Sequence, residues 1–234
     1  MRIFMQKQEL RQGINDSVPI ILGYLPLGLA FGVLANEVGM SIIQATVMSF
    51  LCFTGAGQYI AIGVMQAGGA VFTIIMANVL VNLRYLLFST SMVPYLKGRV
   101  PTALGSFLSY GLTDETYAVA MKRYQDHSPT VSYIAGLNLS SHIGWVASTL
   151  LGAILGGYMS NTERLGLGFA LPAMYICLLV FMIKRKSDVF VALSSALLCL
   201  VVGYFLPATM GNLFNIIIAT VVAASLGMLF NERD

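Results

Sequence analysis

Long apolar runs separated by short polar turns make up most of this chain. They cover residues 17–35, 41–68, 71–94, 102–124, 131–158, 166–183, 189–206 and 212–230. Each is close to the ~20 apolar residues that an α-helix needs to cross a bilayer. None shows the short segments of alternating polarity expected of a membrane β-barrel. The pattern predicts an all-α polytopic membrane protein with about six to eight membrane segments. The first opens at Asp16 or Ser17 as a helix cap, with Pro19 in its first turn. Pro26 in mid-span should kink it, and Gly28 and Gly32 offer a face for close helix contact. Two segments are interrupted: 41–68 by TGAGQ at 54–58, and 102–124 by GLTDE at 111–115. The halves of 41–68 are too short to cross alone, so this run is a broken helix or a re-entrant hairpin. The run 102–124 carries the same signal, with a surface amphipathic helix as its competing reading. The expected organisation is a cytoplasmic N-terminal segment, 1–16, followed by a single transmembrane transport domain, 17–230.

Composition narrows the class further. Hydrophobic residues make up 57% of the 234 and charged residues 10%, against about 25% charged in soluble domains. No small-residue cleavage site follows the basic N-terminus, so the first apolar run reads as an uncleaved helix. The net charge of +3 comes from short basic clusters that serve topology, and nothing points to a nucleic-acid partner. Cys52, Cys177 and Cys199 lie in apolar runs without a CxxC pair and read as small buried hydrophobes. Two histidines and no HExxH give no metal site, and no cofactor motif is present. The Lys/Arg tally places both termini in the cytoplasm. It is obeyed best when 41–68 and 102–124 both re-enter, bringing their breaks to the midplane from opposite sides.

Polar residues at membrane depth are the candidates for chemistry. An arginine there costs at least ~2.5–3.5 kcal/mol, and Arg84 stands in the middle third of its run, beyond full snorkelling reach. It needs an acid partner or a wet cleft, and Asp114 and Glu115 are the only adjacent acids in any apolar stretch. Asn78 and Asn82 share one helix face while Arg84 points elsewhere, which suits a helix buried between neighbours. The pathway candidates are Thr54, Gly55, Gly57 and Gln58 of the first break, then Asn78, Asn82 and Arg84, and Thr113, Asp114 and Glu115 of the second; Asn138 and His142 stand at similar depth. An amino-acid zwitterion needs N–H donors for its carboxylate and acceptors for its ammonium. Arg84 or a broken helix end suits the first role, and the acids or freed carbonyls suit the second. Met48, Phe50, Phe53 and Tyr59 can cradle an apolar side chain, and the carboxylates can take up a proton. The competing readings are structural: asparagines gluing helices, a static Arg84 ion pair, His142 and Trp145 as packing.

Four motifs carry a family resemblance. Pro26-Leu27-Gly28-Leu29-Ala30-Phe31-Gly32, Phe53-Thr54-Gly55-Ala56-Gly57-Gln58, Asn82-Leu83-Arg84-Tyr85 and Leu112-Thr113-Asp114-Glu115 resemble, in order and spacing, elements of AzlC-type branched-chain amino acid permeases. The resemblance covers about residues 15–185. It implies the large subunit of a two-component exporter in a bacterial inner membrane, embedded in lipid beside a small AzlD-type membrane subunit. It also implies valine, leucine or isoleucine as substrate, with methionine a further candidate. The residues it carries over are Gln58, Asn82, Arg84, Asp114 and Glu115. Tyr85 stands where relatives commonly hold histidine, so coupling through a proton relay at that position departs from the family pattern. Outside this reading stand a non-transporting scaffold or channel subunit, and an intramembrane enzyme using Asp114 or Glu115. The enzyme reading lacks a nucleophile–base arrangement and a phosphate-binding glycine loop.

Overall fold

The computed structural model describes residues 2–158 and 186–205, with side chains from 6 and 187 onward, and isolated positions within 169–183 and 222–225. All regular structure among them is helical. The chain divides into two compact units, Met1–Leu171 and Pro172–Asp234.

In the first unit, α1 runs from Arg2 to Glu37, about 54 Å at ~1.5 Å per residue. That exceeds the ~30 Å hydrocarbon core, so one end projects into water. It does not start at the expected cap near Asp16. Residues 6–12 are mostly good helix formers, and the acids of this stretch find partners across the fold. Arg123 grips Glu9 at 3.0 Å, and the Tyr133 hydroxyl donates to Asp16 at 2.9 Å. Pro19 and Pro26 both lie inside the helix.

Helix α7, Val131–Gly156, packs along α1 from Leu10 to Asn36. Small residues set the approach: Gly13 meets the backbone of Leu137, Gly28 meets Ser148, Gly32 meets Gly152, and Gly156 meets Val33. These contacts advance together along both helices, so α1 and α7 are parallel. The intervening chain therefore crosses the membrane an odd number of times.

How it does so follows from the cross-contacts. We call the side where α1 begins proximal, and the side where it ends distal. Helix α2, Ile42–Cys52, starts on the distal side under a capping box between Ser41 and Gln44. It descends to Phe53, whose ring meets Tyr24 of α1 edge-on at 6.2 Å. Helix α3, Gly55–Gln66, then climbs back beside α1. Its Tyr59 packs on Phe31 and donates to the Leu27 carbonyl at 2.6 Å. Helix α4, Val71–Leu96, runs antiparallel to α3 and crosses to the proximal side, with Asn78 bonded to Gly57 and Asn82 to Thr54. There α5, Thr102–Leu108, and a 3₁₀ turn, Ser109–Gly111, lead back inward. Helix α6, Asp114–Asp126, returns alongside α4 and parallel to it. Arg84 meets Asp114, Ser91 meets Tyr117, and Tyr95 meets Tyr124.

Both interrupted segments are thus re-entrant hairpins, entering from opposite sides, while α1, α4 and α7 cross. A long helix followed by a re-entrant hairpin occurs twice, in opposite senses, a pattern found in transporters with inverted repeats.

Three further expectations need correction. The first break lies at Phe53–Thr54, and Gly55 to Gln58 form the first turn of α3 instead of an open loop. Helix α4 was expected to be buried between neighbours, but among the described residues only Ala77 and Met92 of it are buried. Cys52 is exposed and Cys199 half-buried, neither sitting in a core.

In the second unit, α8, Lys186–Phe205, is apolar and long enough to cross. The expected helices at 166–183 and 212–230, together with Cys177, lie outside the described residues apart from isolated positions.

Candidate functional site

Arg84 lies about 20 Å from the start of α4 and about 18 Å from its end, counting ~1.5 Å per residue. At this half-depth its Nη1 meets Asp114 Oδ2 at 2.9 Å, with the two side chains only 25% and 17% exposed. Its Nε is buried and has no partner among the described residues. The guanidinium also lies 5.2 Å from the centre of the Tyr85 ring.

The second hairpin positions the acids. Thr113 caps α6 through a reciprocal pair of hydrogen bonds with Thr116. Asp114 and Glu115 therefore occupy the first helical turn, where the helix dipole favours negative charge. Glu115 does not turn to Arg84. It accepts from the Tyr24 hydroxyl at 2.9 Å, and that hydroxyl also lies 2.7 Å from Thr113 Oγ1. Tyr24 is itself held edge-on between Phe53 and Trp145. One α1 side chain thus ties both hairpin tips together.

The first hairpin contributes from the other side. Phe53 sits at φ +30° in the left-handed region, strain of order 1–2 kcal/mol for a residue with a Cβ. The rings of Tyr24 and His142, the latter centred 4.5 Å away, hold it there. Thr54 donates to Asn82 Oδ1 at 2.9 Å, two residues from Arg84. The Asn78 amide donates to the carbonyls of Gly57 and Ile74. A Cβ at Gly57 would run into the Asn78 side chain, and one at Gly55 would sit 3.1 Å from Trp145, so both positions accept little beyond hydrogen.

Gln58 belongs to a separate buried cluster. It is fully buried, donating to Ser49 Oγ at 2.8 Å and accepting from Trp145 Nε1 at 2.9 Å. Ser49 continues to Thr149 at 2.8 Å. His142 lies between the two tips: its Nε2 is 3.1 Å from the Phe50 carbonyl, which also accepts from Tyr110 of the second hairpin. Those contacts satisfy an end carbonyl of α2 that has no partner within its own helix. Asn138 donates to Leu108 at 2.8 Å and packs under Gly111.

The structure therefore brings Thr54, Asn82, Arg84, Thr113, Asp114 and Glu115 to the meeting point of the two tips. It sets Gln58 apart, on the Trp145 face of α3. Tyr24, Ser49 and Tyr110 were not among the sequence candidates. In apolar runs they read as bulk, and only the tip-to-tip contact reveals their hydroxyls as links. Chemically, the site offers a paired cation with one buried N–H to spare, beside a second carboxylate held by a phenol.

This arrangement defines an all-α polytopic membrane protein whose two opposed re-entrant hairpins enclose an intramembrane ion pair. The chain belongs to the AzlC family: the family described as AzlC protein matches residues 19–159, more than half of its length. It is 27% identical over 223 residues to the inner membrane protein YgaZ of Escherichia coli strain K12, covering 93% of this chain and 89% of that one. It is 30% identical to a membrane protein of Archaeoglobus fulgidus, covering 75% of this chain and 77% of that one. It is 28% identical to the branched-chain amino acid transport protein AzlC of Bacillus subtilis strain 168, covering 79% of this chain and 72% of that one. No solved structure matches it.

Proposed function

We propose that this protein is the large subunit of a secondary exporter of branched-chain, hydrophobic amino acids in a bacterial inner membrane. The observation that carries the reading is the Arg84–Asp114 pair at half-depth, between hairpin tips that enter from opposite sides. Charged residues inside a membrane cost free energy and mark pathways, and broken segments meeting at the midplane are where secondary transporters bind substrate. The relative in Bacillus subtilis carries the matching name. In this reading Arg84 takes the substrate carboxylate, and Asp114 and Glu115 take its ammonium or a proton drawn from the gradient. Thr54, Gly55, Gly57, Asn78, Asn82 and Thr113 shape the tips around them, and Gln58 locks the first tip to α7. A small AzlD-type membrane subunit completes the transporter.

Orientation follows from charge. Arg2, Lys7, Arg11, Lys97, Arg99, Lys122 and Arg123 all belong to the proximal side, while the distal turns at 38–41 and 67–70 hold no Lys or Arg. The positive-inside rule makes the proximal side cytoplasmic. Residues 1–16 then reach into the cytoplasm, and 17–230 form one transport domain. The C-terminus is proposed to lie on the same, cytoplasmic side. With the three native cysteines replaced by serine, Lys97→Cys is expected to react with an impermeant thiol reagent in inverted vesicles and to be protected in intact cells; labelling in intact cells reverses the topology.

Function is tested by reconstituting the chain with its small subunit and measuring gradient-driven flux of valine, leucine, isoleucine and methionine. Saturable flux is expected, lost in Arg84→Ala at normal membrane insertion. Flux that survives this change removes Arg84 from the pathway. Absent flux from the intact pair leaves the scaffold reading.

A further inference from the structure

A cavity of about 320 Å³ opens between the second half of α4, the first leg of the proximal hairpin and the first turns of α7. Its walls are mainly aliphatic, from Met92, Leu96, Leu108, Leu112 and Ile134. Its polar lining includes Ser109, Asn138 and, towards the end of α4, Lys97. Along α4 the lining begins at Ser89, five residues or about 7.5 Å from Arg84. On the hairpin side it reaches Leu112, two residues before Asp114. The space therefore runs from the basic proximal side toward the ion pair, along one face of α4. Its size and its mainly apolar walls with a few polar groups are those of a small-molecule site.

We propose that this cavity is a loading site that holds the aliphatic side chain of an amino acid on the proximal side before it reaches Arg84. The assignment rests on the transport reading above and adds to it the place where substrate size is measured. Lys97 supplies positive charge for the carboxylate on approach. The Asn138 side-chain oxygen accepts no hydrogen bond among the described residues and is the acceptor available to an ammonium. The aliphatic walls discriminate by volume, at about 10–200-fold per methylene for a well-fitted pocket.

Gly105 gives access to the test. It lines the cavity, and a Cβ built on it meets only a Val100 methyl at 3.7 Å, an ordinary contact, so a larger side chain there grows into free space. Gly105→Ala and Gly105→Leu are expected to raise KM in a graded way, with leucine losing about tenfold or more relative to valine in the larger variant. Equal loss for both substrates, or no loss, in a normally inserted variant overturns the proposal.

A second measurement does not depend on flux. With native cysteines replaced, Ser109→Cys in membranes holding the full complex should react with a small thiol reagent, and saturating leucine should slow that reaction while glycine should not. Reactivity unchanged by leucine overturns the loading site even if transport is seen. Protection by leucine without any flux keeps the cavity as a leucine-binding site and removes the transport reading, and with it the loading role.

Discussion

Asp114→Asn is expected to inactivate the protein and to destabilise it more than removal of both charges does. The change keeps the shape of the α6 cap but leaves the Arg84 guanidinium at half-depth with no counter-charge within 4.0 Å among the described residues. Breaking a buried pair costs ~3–5 kcal/mol because the surviving charge is stranded, and replacing both members is often close to neutral. Because the pair is 25% and 17% exposed, the cost falls toward the low end of that range. The double variant Arg84→Gln with Asp114→Asn should therefore recover much of the lost thermal stability in detergent while remaining inactive in flux. The double variant separates a static strut from a working site. If it regains transport together with stability, the pair only holds helices together. If Asp114→Asn is as stable as wild type, the guanidinium is solvated by some other route and the pairing carries little energy.

That pair is also where the sequence was most informative. A lone arginine in an apolar run must be neutralised, and with one pair of adjacent acids in the apolar stretches the choice of partner was narrow. Which acid would serve was not legible. It depends on the Thr113 cap, which sets the first turn of α6 so that Asp114 faces α4 and Glu115 faces Tyr24. Opposed re-entry was one of the schemes the sequence left open, the one that Lys/Arg placement obeyed best, and the contacts of the two hairpins with α1 and α4 decide it. The position of the first break did not follow. Two glycines read as loop, yet Gly55 and Gly57 are small because Trp145 and Asn78 press on the first turn of α3, and the chain turns instead at Phe53. Gln58 read as a pathway group because it is polar at depth; its saturation by Ser49 and Trp145 is a tertiary fact with no local signature. The start of α1 was hidden for a similar reason. Asp16 and Pro19 are strong local start signals, and they were overridden by Arg123 and Tyr133, more than a hundred residues away.

Gly32→Ala is expected to be severely damaging for a single added methyl, and Gly23→Ala, nine residues earlier on the same helix, to be harmless. A Cβ at Gly32 would lie 2.7 Å from the Gly152 carbonyl carbon, with the Thr149 oxygen and Ala153 nitrogen closer still. All three are backbone atoms of α7 and cannot rotate away, so the two helices must separate. Overpacking of this kind costs ~1–3 kcal/mol and sometimes more, and a rigid backbone places it at the upper end. At Gly23 nothing lies within 4 Å of the added methyl, and the helix gains up to ~1 kcal/mol in propensity. Thermal melting of the two variants in the same detergent, with folded yield from membranes, measures the contrast. The consequence reaches the site because α1 carries Tyr24, α7 carries Trp145 and His142, and both hairpin tips are fastened to those three side chains. Spreading α1 from α7 by a fraction of an ångström at Gly32 should therefore lower flux even where insertion survives. Equal melting temperatures for the two alanine variants would mean that α1 and α7 are not in backbone contact at Gly32, and the parallel frame that orients both hairpins would have to be redrawn.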